Sequence, residues 1–484
     1  MSLQFSTCRK PLLEIRVWVA LIVCLVCLAG CGPYNYVQWS PDGKHVAVLA
    51  TDGLRIGDGE GNLTEPILPK ASRVSWLPDS EHALVVSTRE TKSWKDVSAV
   101  LSETERRRIS RLADSLWRAG SVSRWKALDL STIRHVVVCL NNRYGAALVK
   151  QKYGTKDKLG SEVSSSLTVS SLYLVDCIGK PASHRLLWQS TRDIVDLRVS
   201  SSGKLAAVSV ESISGSRILV VPLTKGKPVT IADSAAQSCD WSRHGNSIYF
   251  LSLPSTSDSQ SSDERRPYLV SLMKCDIEGD VTGALKKSSP QTLAELLAYS
   301  ADSDAFRLRC LSDGSVIFNA QQRSFPAVPQ ENVHENLFRL CADAKSLEPV
   351  KVNETLTCAQ LNAFEPNEDG SRIVVPGSKG AVSVIDVASG NVTTLERDGE
   401  QDGVLAPVWR TKDELCYLAR NVEPIKSKDG HDWEVVLQSL VDKDRRAVLS
   451  KNWSVKYLNF LQERKPIGAD TKSTKKVPAE RVRK

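Results

Sequence analysis

Residues 37–49 read VQWSPDGKHVAVL, and this stretch contains the pattern that decides the fold. Its Ser-Pro-Asp-Gly segment is typical of a tight turn, because Pro presets φ, Asp bonds to nearby backbone and Gly accepts a positive φ. The apolar residues on either side predict two strands joined by that turn. The repeat turn motif is therefore defined by Trp39, Pro41, Asp42 and Gly43.

Six weaker copies of this hairpin follow, at residues 74–86, 197–210, 239–251, 307–320, 364–376 and 407–419. Four copies share a tryptophan just before the turn, namely Trp39, Trp76, Trp241 and Trp409. Five share a glycine within the turn, namely Gly43, Gly203, Gly245, Gly314 and Gly370. Each copy is followed by a second hairpin, at residues 54–68, 172–188, 218–231, 274–285, 337–350, 382–395 and 435–449. Two hairpins in series predict a four-stranded antiparallel sheet, and seven such sheets are expected.

The second strand of each copy is apolar on consecutive residues, as in HVAVLA, LAAVSV and RIVVP. A sheet with one wet face would alternate apolar and polar residues, so these strands are expected to be buried on both faces. A blade packed between two other blades has both faces buried, and radial repetition leaves only short edges. The predicted fold class is therefore all-β, a β-propeller of four-stranded antiparallel blades.

The run WSPDGK at residues 39–44 resembles the repeat of TolB-like periplasmic propellers of bacteria. The resemblance covers residues 37–450, with one full copy and six degenerate ones. It implies a β-propeller of the WD-repeat-like kind. None of the copies has the Gly-His and Trp-Asp pair of the eukaryotic WD repeat.

One interval between aligned turn positions, from residue 80 to residue 203, is three times the length of a blade. The sequence predicts a helix over residues 102–119, which starts with a capping box of Ser102 and Glu105. Residues 135–140 and 144–151 could be strands of an eighth blade. We favour seven blades with a helical insertion over about residues 89–165, and eight blades is the alternative. The insertion is expected to project from one face as the element that recognises a partner.

The arginine-rich face of the predicted helix, which includes the triplet Arg106, Arg107 and Arg108, is interpreted as a solvated surface. Contact with a partner or with lipid is the alternative interpretation of this face.

The first thirty residues have the three parts of a secretory signal: a positive start, a short apolar run and small residues at the end. The apolar run at residues 17–28 is short for a membrane span. It leads into Leu-Ala-Gly-Cys at residues 28–31, which resembles the lipobox of bacterial lipoproteins. That resemblance implies cleavage before Cys31 and a diacylglycerol on its sulfur. We expect a lipid-anchored protein on the periplasmic side of a bacterial membrane, with the outer membrane weakly favoured by Gly32.

The formal net charge of +8 is concentrated at the two ends of the chain. Residues 1–30 contribute +2 and residues 463–484 contribute +5, so the intervening part is near neutral as a whole. A basic nucleic-acid-binding face is therefore not implied, and no nucleic-acid partner is expected. Residues 455–484 are predicted to hold a last strand and then a basic, disordered tail.

Eight cysteines remain in the body after the signal and Cys31 are set aside, and no Cys-x-x-Cys or Cys/His cluster occurs there. A zinc site is therefore unsupported, and most of these cysteines are interpreted as buried apolar residues. Cys239 and Cys275 are expected on the first and third strands of one blade, too far apart for a disulfide. Cys310 and Cys341 are expected in the same relation.

No catalytic constellation stands out among the polar residues. The seven histidines form no metal-ligand spacing, and neither a hydrolase nucleophile elbow nor a phosphate loop is present. Residues 58–62 alternate acids as calcium loops do but lack the twelfth-position glutamate, so we interpret them as a hairpin turn. We therefore predict no catalytic residues, no metal and no cofactor, and we expect the protein not to be an enzyme.

A propeller names no function by itself. The favoured hypothesis is a membrane-anchored envelope scaffold, with a signal peptide over residues 1–30 and a propeller over residues 31–454. Its partners would be envelope proteins or peptides, together with the membrane through the lipid on Cys31. The alternatives are a sensor that binds a small ligand or glycan in the propeller funnel, and a propeller enzyme such as a polysaccharide lyase.

Overall fold

The structure is a computed structural model. It describes residues 37–50, 52–59, 62–120, 125, 128, 130–153, 167–179, 182–212, 215–224, 226–253, 268–278, 285–298, 306–321, 335–341, 347–350, 364–376, 381–395, 404–420, 433–441 and 446–450. The predicted signal, Cys31 and residues 455–484 lie outside these ranges. The chain divides into two compact units: residues 1–90 with 168–457, and residues 91–167 with 458–484. We call the first the sheet unit and the second the helical unit.

The sheet unit begins with two antiparallel sheets. The first contains β1 (Val37–Trp39), β2 (His45–Ala50) and β3 (Gly53–Asp58), and the second contains β4 (Ala71–Trp76), β5 (His82–Thr91), β6 (Leu167–Asp176) and β7 (Ser183–Ser190), each paired in chain order.

The predicted fourth strand of the first sheet does not form among the described residues. Only isolated bridges join Leu63 and Leu68 to β3. Pro66 has no N–H for a ladder, and the Thr64 hydroxyl takes the Ile56 N–H at 3.1 Å instead.

The next sheet is the largest. It contains β8 (Ile194–Val199), β9 (Leu205–Ser212), β10 (Gly215–Pro222), β11 (Val229–Trp241), β12 (Ser247–Ser252), β13 (Tyr268–Glu278), β14 (Lys286–Lys287) and β15 (Gln291–Ala298). The long strand β11 joins two groups of strands, because its first half pairs with β10 and its second half pairs with β12. The strand that pairs with β13 along most of its length is β15, which lies beyond the hairpin predicted to end at residue 285. Residues 279–284 of that hairpin lie outside the described residues.

Three four-stranded sheets complete the sheet unit. They contain β16 (Leu308–Cys310), β17 (Val316–Gln321), β18 (Glu335–Leu340) and β19 (Leu347–Val350); β20 (Glu365–Pro366), β21 (Arg372–Pro376), β22 (Val382–Asp386) and β23 (Val392–Leu395); and β24 (Val404–Thr411), β25 (Glu414–Arg420), β26 (Trp433–Ser439) and β27 (Arg446–Ser450). Every pairing within these sheets is antiparallel and follows chain order.

The second strands are buried on both faces, as predicted from their apolar runs. On β5, Ala83 and Val85 pack with the first sheet, while Leu84 and Val86 pack with β8 and β9 of the next. The same alternation occurs on β21, where Val374 faces the last sheet and its neighbours in sequence face β17 and β18. Each such sheet is thus packed between its two neighbours in sequence, which is the arrangement of propeller blades.

The first strands β1, β4, β8, β11, β16, β20 and β24 lie against one another in chain order. Contacts join β1 to β4, β4 to β8, β8 to β11, β11 to β16 and β20 to β24. Ion pairs of Arg307, next to β16, and of Arg309 on β16 reach Glu365 on β20. The circuit closes because β24 also contacts β1.

The helical unit contains α1 (Trp94–Val100), α2 (Glu103–Ala119), α3 (Leu130–Tyr144) and α4 (Ala146–Tyr153). The predicted helix and its capping box are confirmed, since the Ser102 side chain accepts from the Glu105 N–H and the Glu105 carboxylate accepts from the Ser102 N–H. None of the described helices is long and apolar enough to cross a membrane.

The alternative prediction, that residues 135–140 and 144–151 are strands of an eighth blade, is wrong. These segments belong to the helices α3 and α4, which meet at Gly145. Helix α3 is buried on several faces: Val136 and Leu140 pack with α2, and Val138 packs with α1. A helix buried all round and a buried strand have the same continuous apolar sequence, so the pattern could not separate them.

Candidate functional site

The predicted turn motif forms a hydrogen-bonded turn between β1 and β2. Ser40 Oγ donates to Asp42 Oδ1 over 2.6 Å, and the Gly43 N–H donates to the Ser40 carbonyl over 2.8 Å. Gly43 has a φ of +69°, which a side chain would strain. The hydrogen bond from the Ser40 hydroxyl, aided by Lys44, lowers the pKa of Asp42 to about 2. The motif is therefore well ordered by its own side chains.

The same turn also contacts the turn of the following sheet. The Asp42 N–H donates to Ser80 Oγ over 3.1 Å, and Ser80 occupies the position that Gly43 holds in the first copy. Ser80 has a φ of +60°, so a non-glycine residue takes the left-handed conformation at this position. Asp42 thus contacts the following sheet directly, and nothing in the geometry of Trp39, Pro41, Asp42 and Gly43 indicates a ligand.

Three of the shared tryptophans also join neighbouring first strands. The indole N–H of Trp76 donates to the Gln38 carbonyl over 3.0 Å, that of Trp241 to the Arg198 carbonyl over 3.1 Å, and that of Trp409 to the Glu365 carbonyl over 2.9 Å. In each case the acceptor lies on the preceding first strand, one residue before the position that matches the tryptophan. We call that acceptor position the register position.

Charged side chains from four first strands, which belong to three consecutive sheets, lie close together. The first-strand cluster consists of Asp196 and Arg198 on β8, Asp240 on β11, Arg307 and Arg309 at β16, and Glu365 on β20. Four of its members occupy the register position, namely Arg198, Asp240, Arg309 and Glu365. These residues were not among the sequence predictions. Charged residues at one register of otherwise buried strands were the signal that could have identified them.

Glu365 is held by two guanidinium groups. Arg307 Nη2 contacts Glu365 Oε2, and Arg309 Nε lies 3.2 Å from both carboxylate oxygens. Arg309 Nη1 also donates to Ser238 Oγ on β11 over 3.2 Å. The side chains of Arg307 and Arg309 are 10% and 5% exposed and that of Glu365 is 22% exposed, so Glu365 is the most exposed of the three.

The part of the cluster that contains Asp240 and Arg198 has fewer hydrogen bonds. Asp240 accepts the Trp241 N–H at 2.9 Å and the Cys310 N–H at 3.0 Å. Arg198 lies in the fields of Asp196, Glu365 and Asp240, yet its Nε and Nη2 atoms are buried without a hydrogen-bond partner. The nearest carboxylate oxygen, on Asp196, is 3.8 Å from Nε, which is too far for a hydrogen bond.

Burial shifts the acid–base behaviour of this region. Burial raises the pKa of Asp240 to about 6, against the opposing effect of Arg198. Burial also raises the pKa values of the Cys239 and Cys310 thiols, so both remain neutral at physiological pH. For Arg198, burial opposes the charged form, but Asp196 and its fellow carboxylates outweigh burial and raise the pKa. Arg198 is therefore always cationic, and Asp240 changes charge near pH 6.

The arrangement is suited to binding ionic and hydrogen-bonding groups. Among the described residues, no group of three or more His, Cys, Asp or Glu side chains is placed to hold a metal ion. Six of the described cysteines are free thiols: Cys139, Cys177, Cys239, Cys275, Cys310 and Cys416. Cys239 lies on β11 and Cys275 on β13, with β12 between them, which is the strand relation that the sequence predicted.

Comparisons with solved structures find neighbours at low sequence identity and with TM-scores below 0.5. No protein-family model and no curated protein matches this chain. TolB from Acinetobacter baumannii is 13% identical with a TM-score of 0.36, over 56% of this chain and 57% of that one. The β-propeller domain of Cps50 (Swd1) from Myceliophteria thermophila is 10% identical with a TM-score of 0.40, over 81% and 95%.

The tricorn protease is 11% identical with a TM-score of 0.44, over 87% of this chain and 34% of that one. This chain therefore spans a little over half of the Acinetobacter TolB and about a third of the protease. The structural neighbours include TolB proteins and other β-propeller proteins. The blade arrangement itself rests on the packing between the sheets described above.

Proposed function

We propose that this protein is a binding scaffold of the cell envelope, in which a partner protein or peptide contacts the propeller at the first-strand cluster. The observation that carries the proposal is the convergence of six charged side chains on or next to the four first strands β8, β11, β16 and β20. The first strands hold these charged side chains rigidly, because the strands are paired within their sheets. Rigid, convergent polar groups are what a recognition site requires.

Stability alone is a poor explanation for the cluster. Removing charges from water costs several kcal/mol for each ion, and replacing a buried ion pair with apolar side chains is often neutral or stabilising. The same chain uses an apolar residue, Val408, at the register position of β24. Perturbed ionisable groups that are partly buried cluster at functional sites more often than elsewhere. A role in binding therefore accounts for the charged residues better than a role in folding.

We further propose that the sheets form seven blades. The six named sheets become seven groups if β11 ends one blade and begins the next, as its divided pairing supports. The first strands of these groups are the seven that contact one another in a closed circuit. Two groups depart from four strands: the first has three strands and two isolated bridges, and in the fourth both β14 and β15 pair with β13.

The membrane location in this proposal rests on the sequence of the N-terminal segment. Cys31 would carry the lipid, and signal cleavage would remove residues 1–30. The test is the intact mass of the mature protein, together with the distribution of a Cys31→Ser variant between membrane and soluble fractions. A lipid-modified mass and release of the variant support the anchor. A mature mass without lipid contradicts it.

The binding role is tested by cross-linking in intact cells followed by capture of the lipidated protein and mass spectrometry. Arg198→Gln is the informative variant, because two of its guanidinium nitrogens make no hydrogen bond that the substitution would break. Arg192→Gln is the matched control, in the turn that precedes β8. We expect a set of partners that is captured by the wild type and the control but lost from Arg198→Gln. Equal capture by all three proteins, with equal thermal stability, contradicts the proposal.

A further inference from the structure

The charge of the folded region is divided unequally between the two units. Residues 91–167 contain fifteen Lys and Arg against seven Asp and Glu, a net charge of +8. Residues 31–90 and 168–462 together contain 38 basic residues against 45 acidic ones, a net charge of −7. The near-neutral total therefore conceals a strongly basic helical unit. A basic module of this kind attracts an anionic partner over a Debye length.

Three of these basic residues lie in a row along one face of α2. Ile109, Ala113 and Leu116 form its buried face. At 100° per residue, Arg107, Arg111 and Arg118 lie within about 40° of one another, directly opposite that face. All three are exposed. With a rise of 1.5 Å per residue, the three arginines extend over about 16 Å. We call this set the arginine stripe.

The surroundings of the stripe leave its charge largely available. Arg107 is paired with Glu103, but its side chain remains 69% exposed. The nearby acid Asp114 is engaged by Arg143 of α3. Of the three arginines, only Arg107 is paired with an acid of its own helix among the ion pairs of the described residues.

The neighbouring helix α4 adds further basic and apolar surface. Lys152 lies over the Trp117 ring, 4.1 Å from its centroid, and donates to the Trp117 carbonyl, so α4 is fixed against α2. Lys150 is exposed, and the Leu148 side chain is 53% exposed. Basic residues beside an exposed apolar side chain are the features of surfaces that lie on membranes.

We propose that the arginine stripe of the helical unit docks on an anionic lipid surface. The choice of lipid as the occupant rests on the proposed function, because a lipid on Cys31 would keep the protein at a membrane. A straight row of arginines on a convex helix matches a flat anionic surface. Such a contact would act together with the anchor, since a tethered surface is present at high effective concentration.

The test uses the full chain with Cys31→Ser, which has no lipid, so that any binding is independent of the anchor. Co-sedimentation is measured with vesicles of phosphatidylcholine alone and with vesicles that also contain phosphatidylglycerol. Each basic residue near an anionic surface contributes about five-fold in affinity. We expect binding only to the anionic vesicles, weakening with added salt, and a loss on the order of 100-fold when Arg107, Arg111 and Arg118 are all changed to Gln.

Two further variants separate the stripe from net charge and from the basic tail. The first changes Lys204, Lys227 and Lys412, three exposed lysines of the sheet unit, to Gln. The second changes Lys472, Lys475, Lys476 and Arg481 of the tail to Gln. Both are expected to retain most of the binding. If either weakens binding as much as the stripe variant, or if anionic vesicles do not bind the chain, the proposal is overturned. The mass of the mature protein tests the anchor separately.

Discussion

The Nε atom of Arg410 donates a hydrogen bond to the Gly43 carbonyl oxygen over 3.2 Å, although 367 residues separate the two. The same guanidinium lies 4.7 Å from the centroid of the Trp39 ring. Through this side chain the last sheet contacts the turn of the first. The closure of a propeller depends on the contact between its first and last blades. All other pairs of neighbouring blades are consecutive in the chain and are joined by a short connection.

Replacing Arg410 with Met keeps most of the aliphatic length but removes the hydrogen bond and the cation–π contact. We expect the free energy of unfolding to fall by about 1–3 kcal/mol. Urea unfolding followed by tryptophan fluorescence measures this change. Lys412→Met is the control, because Lys412 is an exposed residue in the adjacent turn. Equal stability of the two variants would show that this contact does not hold the ring.

Ser80 combines a left-handed backbone with a buried hydrogen bond to the Asp42 N–H. Ser80→Ala keeps the strain and loses the acceptor, so a loss of about 1–2 kcal/mol is expected. Ser80→Gly loses the same acceptor but removes a backbone cost of about 1 kcal/mol, so it should be close to the wild type. Thermal unfolding of both variants tests the order. An Ala variant as stable as the Gly variant would contradict it.

The pKa of Asp240 predicts a specific pH dependence of stability. The folded value of about 6 exceeds the ordinary 3.8, so the folded state binds this proton more tightly than the unfolded state. The penalty for ionised Asp240 is therefore complete above pH 6 and declines as the pH falls from 6 towards 4. Arg198 on β8 and Glu365 on β20 are the charged groups that act on it.

The comparison is with Asp240→Asn, which has no proton to gain. Between about pH 7.5 and pH 5, the wild type should gain about 1 kcal/mol of stability relative to the variant. Urea unfolding at the two pH values gives this difference. Parallel pH dependences of the two proteins would mean that Asp240 ionises in its ordinary range.

The helical unit should be removable. Its described residues have hydrophobic clusters of their own, around Leu116 and Val138, and β5 and β6 pair on either side of it. Replacing residues 92–166 with a short Gly-Ser linker should preserve β-type circular dichroism and a cooperative melt. The structure supports this because residues 135–140 and 144–151 are helical. Aggregation of the deletion protein, or loss of its cooperative transition, would count against this division of the chain.

The sequence was most informative where local chemistry determines structure. The turn residues around Gly43, the capping box at Ser102 and the doubly buried second strands such as β5 could all be predicted, because each depends on backbone preferences or on burial. The fourth strand of the first sheet and the position of β15 could not. Strand choice there depends on which of several weak segments pairs best in three dimensions, which local patterns do not specify.

The first-strand cluster was not predicted for a related reason. Arg198 and Glu365 are 167 positions apart, and each alone resembles a solvated charge near a turn. Only the contact between first strands brings them into one electrostatic group. The register position can be located in the sequence, because it lies one residue before the tryptophan position. Its role could not be inferred there, because that requires knowing that this position faces the next blade.

The central claim is that partners bind at the first strands of the propeller, and site-specific photo-cross-linking tests it most directly. A photoreactive amino acid is placed at Gln38, which holds the register position on β1 outside the charged cluster, or at Leu186, which is exposed on the edge strand β7. The account predicts cross-linked partners from Gln38, abolished by Arg198→Gln, and none from Leu186. Partners cross-linked from Leu186 and not from Gln38 would contradict it.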